Sequence, residues 1–359
     1  MALSFTSNKR ATQVISDSSG YRGPNDYLFN LDIPNDEYFV LDSGQRIHEE
    51  LDYFLNVSRS SSSGKIFDDQ LNILDVPPNT ARRTYLPAYD TYGVLIEEAR
   101  YNFFNQTPLE SKPVSILPQT TNIFACFAMG GTAKVSATEV DIIGGAGSYD
   151  NPMFFTLKSA GTRTPFVTLS AGVTAVQVEQ LVGKRTASVV PSRSAATKAA
   201  ESMRILDGAL QKEQGCIVLH ILESKRKATH TASEYTPYFQ IKHDEDNYIA
   251  ANRRMDRSVF TLQLFKSGAE VLATQLAVAS SKNKIAVSWE KGAIRFAVNG
   301  VSYSLDERMD ATFSPQNIGL LSTISTWVRD PGNAALTNLV AYDRALTLEE
   351  LAKATTSWD

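Results

Sequence analysis

Asp244 and Asp246, in the run His243-Asp244-Glu245-Asp246-Asn247, come nearest in this 359-residue chain to two carboxylates aimed at one target. On a strand, residues two apart share a face, so both could reach one cation or flank one bond. Hydrolysis of a glycosidic bond needs two carboxyl groups about 5–5.5 Å or about 6.5–9.5 Å apart, and Ca²⁺ takes about six to eight oxygens. The pair sits at an expected strand end beside Lys242, with no third carboxylate continuing the alternation. A solvated turn is therefore the first reading, a pair of Ca²⁺ ligands the second and catalysis the third; no other cofactor is implied. His48, His220, His230 and His243 have no H-x-H or H-x-x-x-H spacing, so they do not suggest a metal centre. His220 alternates with Leu219 and Ile221 in Cys216-Ile-Val-Leu-His-Ile-Leu222, which predicts the less buried face of a strand. The glycine-rich run 142–151 lacks the Lys-Ser/Thr ending of a phosphate loop and reads as a hairpin connection. No Gly-x-Ser-x-Gly element is present, so no nucleophile elbow is expected.

Binding a saccharide asks for other parts: an aromatic face for the ring, with amide, carboxylate or guanidinium groups for the hydroxyls. Trp327, followed by Arg329, Asp330 and Asn333, is the best such constellation. Trp289 alternates with Ile285 and Val287 and is expected in the core. Trp358, next to the last residue, could dock on a neighbouring subunit. Lys225-Arg226-Lys227 reads as a solvated loop, as does Arg253-Arg254 with Arg257, for which a subunit contact is the runner-up. Cys126 and Cys216 lie in apolar runs and read as buried free thiols, which supply neither a disulfide framework nor a thiolate site.

The elements carrying these residues are mostly strands. Phe260, Leu262 and Leu264 share one face of a two-residue period, as do Ile285, Val287 and Trp289. Asn299-Gly300 fits a two-residue type I′ turn, in which both positions take positive φ. That turn sets Val298 opposite Val301, Phe296 opposite Tyr303 and Ile294 opposite Leu305. Thr347 and Glu350 have capping-box spacing and predict a short C-terminal helix. Residues 45–54 are ambiguous between a helical turn and a strand, and 194–203 read as a linker with helical propensity.

Charge and composition narrow the classes. With 35 basic and 39 acidic side chains the chain carries a formal −4, which gives no general attraction to nucleic acid or an anionic membrane. No apolar run of about 18 residues occurs, and neither a standard export signal nor a membrane anchor is expected. The acidity is concentrated in residues 1–100, with 9 basic and 15 acidic side chains, whereas 101–199 carry 8 and 5. Four zones are expected: an extended attachment or assembly segment over 1–100, a β-sandwich over 101–190, a linker over 191–204 and a jelly roll over 205–359. The first zone looks too poor in apolar runs to form its own core, so a 101–359 fragment is expected to fold without it.

Three stretches resemble tailed-phage structural proteins with concanavalin A-like, laminin-G-like domains. Gly93-Val-Leu-Ile-Glu-Glu-Ala-Arg-Tyr-Asn102, with Val57-Ser-Arg-Ser-Ser61 upstream, is similar to the family's GLLIEEARTN and FTRAS elements. Gln177-Val-Glu179, Ala187-Ser-Val-Val-Pro-Ser192 and Ala196-Thr-Lys-Ala-Ala-Glu201 are similar to its QLE, TSYIPT and TRAAD sequence. Leu339-Val-Ala-Tyr-Asp-Arg-Ala-Leu-Thr347 with Glu350 and Leu351 resembles the closing strand and helix of laminin-G-like jelly rolls. The resemblance implies an all-β, non-enzymatic virion protein, assembled in the host cytoplasm and placed on head or tail. Its implied partners are other virion proteins and sister subunits, in a homo-oligomer with a trimer favoured, and host-surface or environmental glycans. A purely architectural capsid decoration protein is the alternative, and a depolymerase a distant third.

Overall fold

The computed structural model describes residues 26–42, 45–59, 64–97, 100–117, 123–159, 161–181, 187–192, 197–198, 201–206, 210–225, 235–254, 259–277, 280–306, 313–321 and 334–356. The fold is all-β with a short C-terminal helix, built on two large antiparallel sheets and a smaller sandwich. Gly215–Glu223 and Ala334–Tyr342 lie side by side in the middle of the ten-stranded sheet. The seven-stranded sheet runs in space Ala269–Ala277, Val259–Lys266, Tyr248–Arg254, Tyr235–Lys242, Asn317–Leu320, Glu201–Ile205 and Leu55–Arg59. Between the two lies one core that holds Trp289, Phe296, Phe260, Ile241, Ile318 and Leu339.

The expected boundary near residue 100 does not divide the fold. Phe29–Asp32 pairs with Ala334–Tyr342, setting Phe29 opposite Ala341 and Asp32 opposite Asn338. Thr91–Ile96 takes the remainder of the same edge, with Ile96 opposite Ala334. Leu55–Arg59 closes the seven-stranded sheet against Glu201–Ile205. Phe29, Leu31, Tyr38, Val40, Phe54, Leu55, Val57, Val94 and Ile96 all enter the inter-sheet core. Residues 29–97 thus do lie along another surface, but that surface belongs to the same chain. Their short apolar runs suffice because partners far away in sequence complete the burial.

Local readings fare differently according to how local their cause is. Asn299 and Gly300 both have positive φ, and the pairings 298/301, 296/303 and 294/305 are as expected. Thr347 caps the helix Leu348–Ala354 through a reciprocal capping box with Glu350. Residues 45–54 contain both alternatives in succession, the strand Gln45–His48 and the one-turn helix Leu51–Phe54. The helical propensity expected over 194–203 is overridden at the end of that range, where Glu201–Ile205 is a strand paired on both edges. Ladder hydrogen bonds and burial of Met203 and Ile205 outweigh the small preference of alanine-rich sequence for helix.

The smaller sandwich packs Val140–Gly144, Met153–Leu157, Ile123–Met129 and Ala175–Gln180 over Lys112–Pro113, Phe166–Leu169 and Ala133–Val135. Phe104, Phe124, Cys126, Phe155 and Val178 fill its interior. The opposite face of its four-stranded sheet, with Phe127, Met129 and Phe154, packs with Leu86, Leu95, Leu222 and Ala335 of the jelly roll.

Candidate functional site

Two of the three stretches quoted from the sequence, Val57–Asn102 and Gln177–Glu201, converge on a buried polar junction. Arg59 Nε donates to Glu201 Oε1 at 2.7 Å, and Arg82 donates to Glu97 Oε2 at 3.2 Å and to Glu201 Oε2. The Glu97 amide donates to Glu201 Oε2 at 3.1 Å, and Glu97 Oε1 accepts from the Val189 amide at 2.7 Å. Nearby, Glu179 accepts from both the amide and the hydroxyl of Ser188 at 2.6 Å. Gln177 Oε1 accepts from the Ser192 amide, and Asn102 Oδ1 from the Val178 amide, each at 3.0 Å. The side chains of Arg59, Arg82, Glu97 and Glu201 are at most 1% exposed. Charges removed from water this completely persist only when paired and hydrogen-bonded. These carboxylates are therefore structural, holding the exit of the smaller sandwich to the jelly roll.

Asp244 and Asp246 lie in the exposed turn between Tyr235–Lys242 and Tyr248–Arg254. Asp244 Oδ1 accepts from the amides of Asp246 and Asn247, both at 2.8 Å, and both carboxylate oxygens accept from Asn247 Nδ2. The Asn247 hydrogen bond is the chief reason the Asp244 carboxyl sits below the usual aspartate range. Asp244 thus organises its own turn, and no cluster of three His, Cys, Asp or Glu gathers around a cation position among the described residues. Trp327, Arg329, Asp330 and Asn333, and likewise Trp358 and His230, lie outside the described residues.

Trp289 is 1% exposed and donates from Nε1 to the Lys212 carbonyl at 3.2 Å. Cys126 and Cys216 are buried free thiols. His220 departs from expectation: it is buried, because both faces of the central strand Gly215–Glu223 are covered. Burial, and then the nearby Lys284, push its imidazole well below the ordinary histidine range. Arg253 is likewise buried rather than solvated, paired with Glu223 at 2.5 Å between the sheets. Lys225 does lie on the surface, its Nζ 4.4 Å from the centre of the Tyr89 ring. The cleft beside it, between the smaller sandwich and the jelly roll, encloses only about 30 Å³, room for about one water.

A feature hidden from linear reading crosses the outer face of the seven-stranded sheet. Residues directly opposite in a ladder share a face, so the register sets Asn56, Arg204, Gly319, Gln240, Ala250, Gln263 and Ala273 in one row across all seven strands. The adjacent inward row runs Val57, Met203, Leu320, Phe239, Ala251 and Leu262, all in the core. Long polar side chains therefore alternate outside with glycine and alanine. Neighbouring rows add Ser58 opposite Ser202, Asn252 opposite Thr261, and Tyr248 stacked on Phe265 with ring centres 4.3 Å apart. Asn252 Nδ2 donates to Gln263 Oε1 at 2.9 Å, and Lys242 is ion-paired with Glu245 at 2.6 Å. Gln240, Asn252 and Thr261 in the middle are at most 5% exposed, whereas Asn56 and Ser58 at one end are open to solvent. There the surface sinks into a hollow of about 260 Å³. Sequence reasoning missed this row because each strand contributes only one residue to it.

No family model and no curated protein matches the chain. Among solved structures it is similar to domain 4 of an extracellular GH43 arabinanase from Geobacillus stearothermophilus, in complex with arabinotriose. The identity is 18% and the TM-score 0.34, over 44% of this chain and 73% of that one. It is similar also to the CBM40 domain of a Ruminococcus gnavus IT-sialidase bound to α2,3-sialyllactose, at 15% identity and TM-score 0.33, over 40% and 83% of the two chains. A Caenorhabditis elegans galectin matches at 13% identity and TM-score 0.27, over 37% and 84%. Each match covers less than half of this chain, so what the chain binds has to be read from its own surface.

Proposed function

We propose that the chain is a non-enzymatic structural protein of a tailed-phage virion, whose lectin-like sandwich binds host-surface or environmental glycans on the outer face of the seven-stranded sheet. The outer row carries this reading. Sugar hydroxyls need neighbouring donors and acceptors, which amides and guanidinium groups supply. The polar members of the row that reach solvent, Asn56 and Arg204 at one end and Gln263 at the other, offer those groups, and the Tyr248–Phe265 stack adds an aromatic surface to one side. The buried carboxylates Glu97, Glu179, Glu201 and Glu223 are all engaged in structural hydrogen bonds, which favours binding over hydrolysis. The virion setting is supported by the sequence resemblance, two of whose three stretches build the junction described above. Other virion proteins and sister subunits are the protein partners that setting implies.

Burial of Gln240, Asn252 and Thr261 favours a second reading, in which the face is packed away and the protein is purely architectural. A glycan array probed with the full chain decides between them. Saturable binding, weakened by Gln263→Ala or by Trp327→Ala, supports recognition. Absence of binding across host and environmental polysaccharides supports the architectural reading. Release of reducing ends from any bound polysaccharide would refute the non-enzymatic assignment, and absence of the protein from purified particles would refute the virion placement.

A further inference from the structure

The hollow at the Leu55–Arg59 end of the outer face is lined by Asn56, Ser58, Ser202, Arg204, Ile205 and Leu206. Arg204, half-exposed, is one of these lining residues, with Asn56 opposite on one side and Gly319 on the other. Asn56, Ser58 and Ser202 border the guanidinium on the open side, whereas Gly319 on the other flank is buried. Met203 and Ile205, on either side of Arg204 in sequence, are buried in the inter-sheet core, so the backbone carrying the arginine is fixed. Arg59, Arg82, Arg253 and Arg344 are all ion-paired, but among the described residues no carboxylate pairs with Arg204. A guanidinium carried on a fixed backbone beside two hydroxyls and an amide, in a hollow just under the ~300 Å³ at which small-molecule sites begin, suits one ring bearing a planar anion.

We propose that this hollow is a subsite for a carboxylate-bearing sugar, a uronic- or sialic-acid-type residue, and this rests on the glycan-binding reading above. The planar fork of Arg204 takes both carboxylate oxygens. Ser58, Ser202 and Asn56 donate to and accept from the ring hydroxyls, and Ile205 and Leu206 form the apolar side of the hollow.

The test is an array of acidic glycans, each beside its methyl ester and its neutral counterpart, probed with the full chain. Calorimetry on the best acidic glycan and its ester follows, with wild type, Arg204→Met, Arg204→Lys and Ser58→Ala/Ser202→Ala. Acidic glycans should dominate the hits, with the ester and Arg204→Met each weakening binding at least tenfold. Arg204→Lys, which keeps the charge and loses the fork, should fall between, and binding should weaken as salt rises. Should Arg204→Met fold poorly, the ester comparison and the serine double variant carry the test. Equal binding of acid and ester, or full affinity in a folded Arg204→Met, overturns the subsite while leaving glycan binding intact. Absence of any hit on the array overturns both.

Discussion

Replacing Glu201 by alanine should be among the most destabilising single changes in this protein. One carboxylate there accepts from Arg59, Arg82 and the Glu97 amide. Its removal turns a balanced group of two arginines and two glutamates into one with a net positive charge, and none of the four side chains is more than 1% exposed. Breaking a buried pair by deleting one partner costs about 3–5 kcal/mol, set against a total stability of about 5–15 kcal/mol. At about 2–4 °C per kcal/mol for a domain of 150–250 residues, the melting temperature should drop by roughly 6–20 °C. Thermal unfolding followed by far-ultraviolet circular dichroism and tryptophan fluorescence reads the shift. A cycle with Arg59→Met separates pairing from packing: the double variant should be at least about 1 kcal/mol more stable than the sum of the single effects, because it leaves one fewer unpaired buried charge. A drop of less than about 2 °C for Glu201→Ala, or additivity within about 0.5 kcal/mol in the cycle, would refute the role given to the junction.

Two further outcomes follow from the same structure. A 101–359 fragment should not unfold cooperatively, contrary to what composition suggests, because eleven buried residues of the inter-sheet core come from residues 29–96, each contributing about 1–3 kcal/mol on burial; a sharp, native-like melting transition for the fragment would contradict this. At the other terminus, Arg344 bonds Asp26 and Glu350, and its hydrogen bond holds the Glu350 carboxyl down at about 2. A lowered carboxylate value means stability present above the unfolded value near 4.5 and lost as pH falls towards 2. Glu350→Gln should therefore flatten the acid limb of the stability profile in that window, and an unchanged limb would remove the pair from the account of acid sensitivity.

Features governed by nearest neighbours could be read from the chain. Asn299-Gly300 fixed its own turn and register, Thr347 and Glu350 their own cap, and the alternation around Trp289 its own inward face. What could not be read depends on partners hundreds of residues away. Nothing in Phe29-Asn-Leu-Asp32 points to Ala341, and nothing around His220 or Arg253 reveals that both faces of the one strand are covered, or that Glu223 awaits the other residue. The outer row is the extreme case, since Arg204 gains its neighbours Asn56 and Gly319 only through the ladder. Trp327, the most suggestive residue in the linear sequence, lies outside the described residues, while the outer row rests on amides that no local motif marks.

The pairing of Phe29 with Ala341 also has a consequence for synthesis. Ribosomes add about 5–20 residues per second, so the first strand of the ten-stranded sheet emerges roughly 15–60 s before the strand that completes it. The smaller sandwich, whose paired strands all fall between Lys112 and Gln180, has its full complement long before then. Nascent chains therefore pass through a stage in which one unit is finished while strands from both sheets of the other stand open at their edges, which is when neighbouring chains on one message are best placed to exchange them.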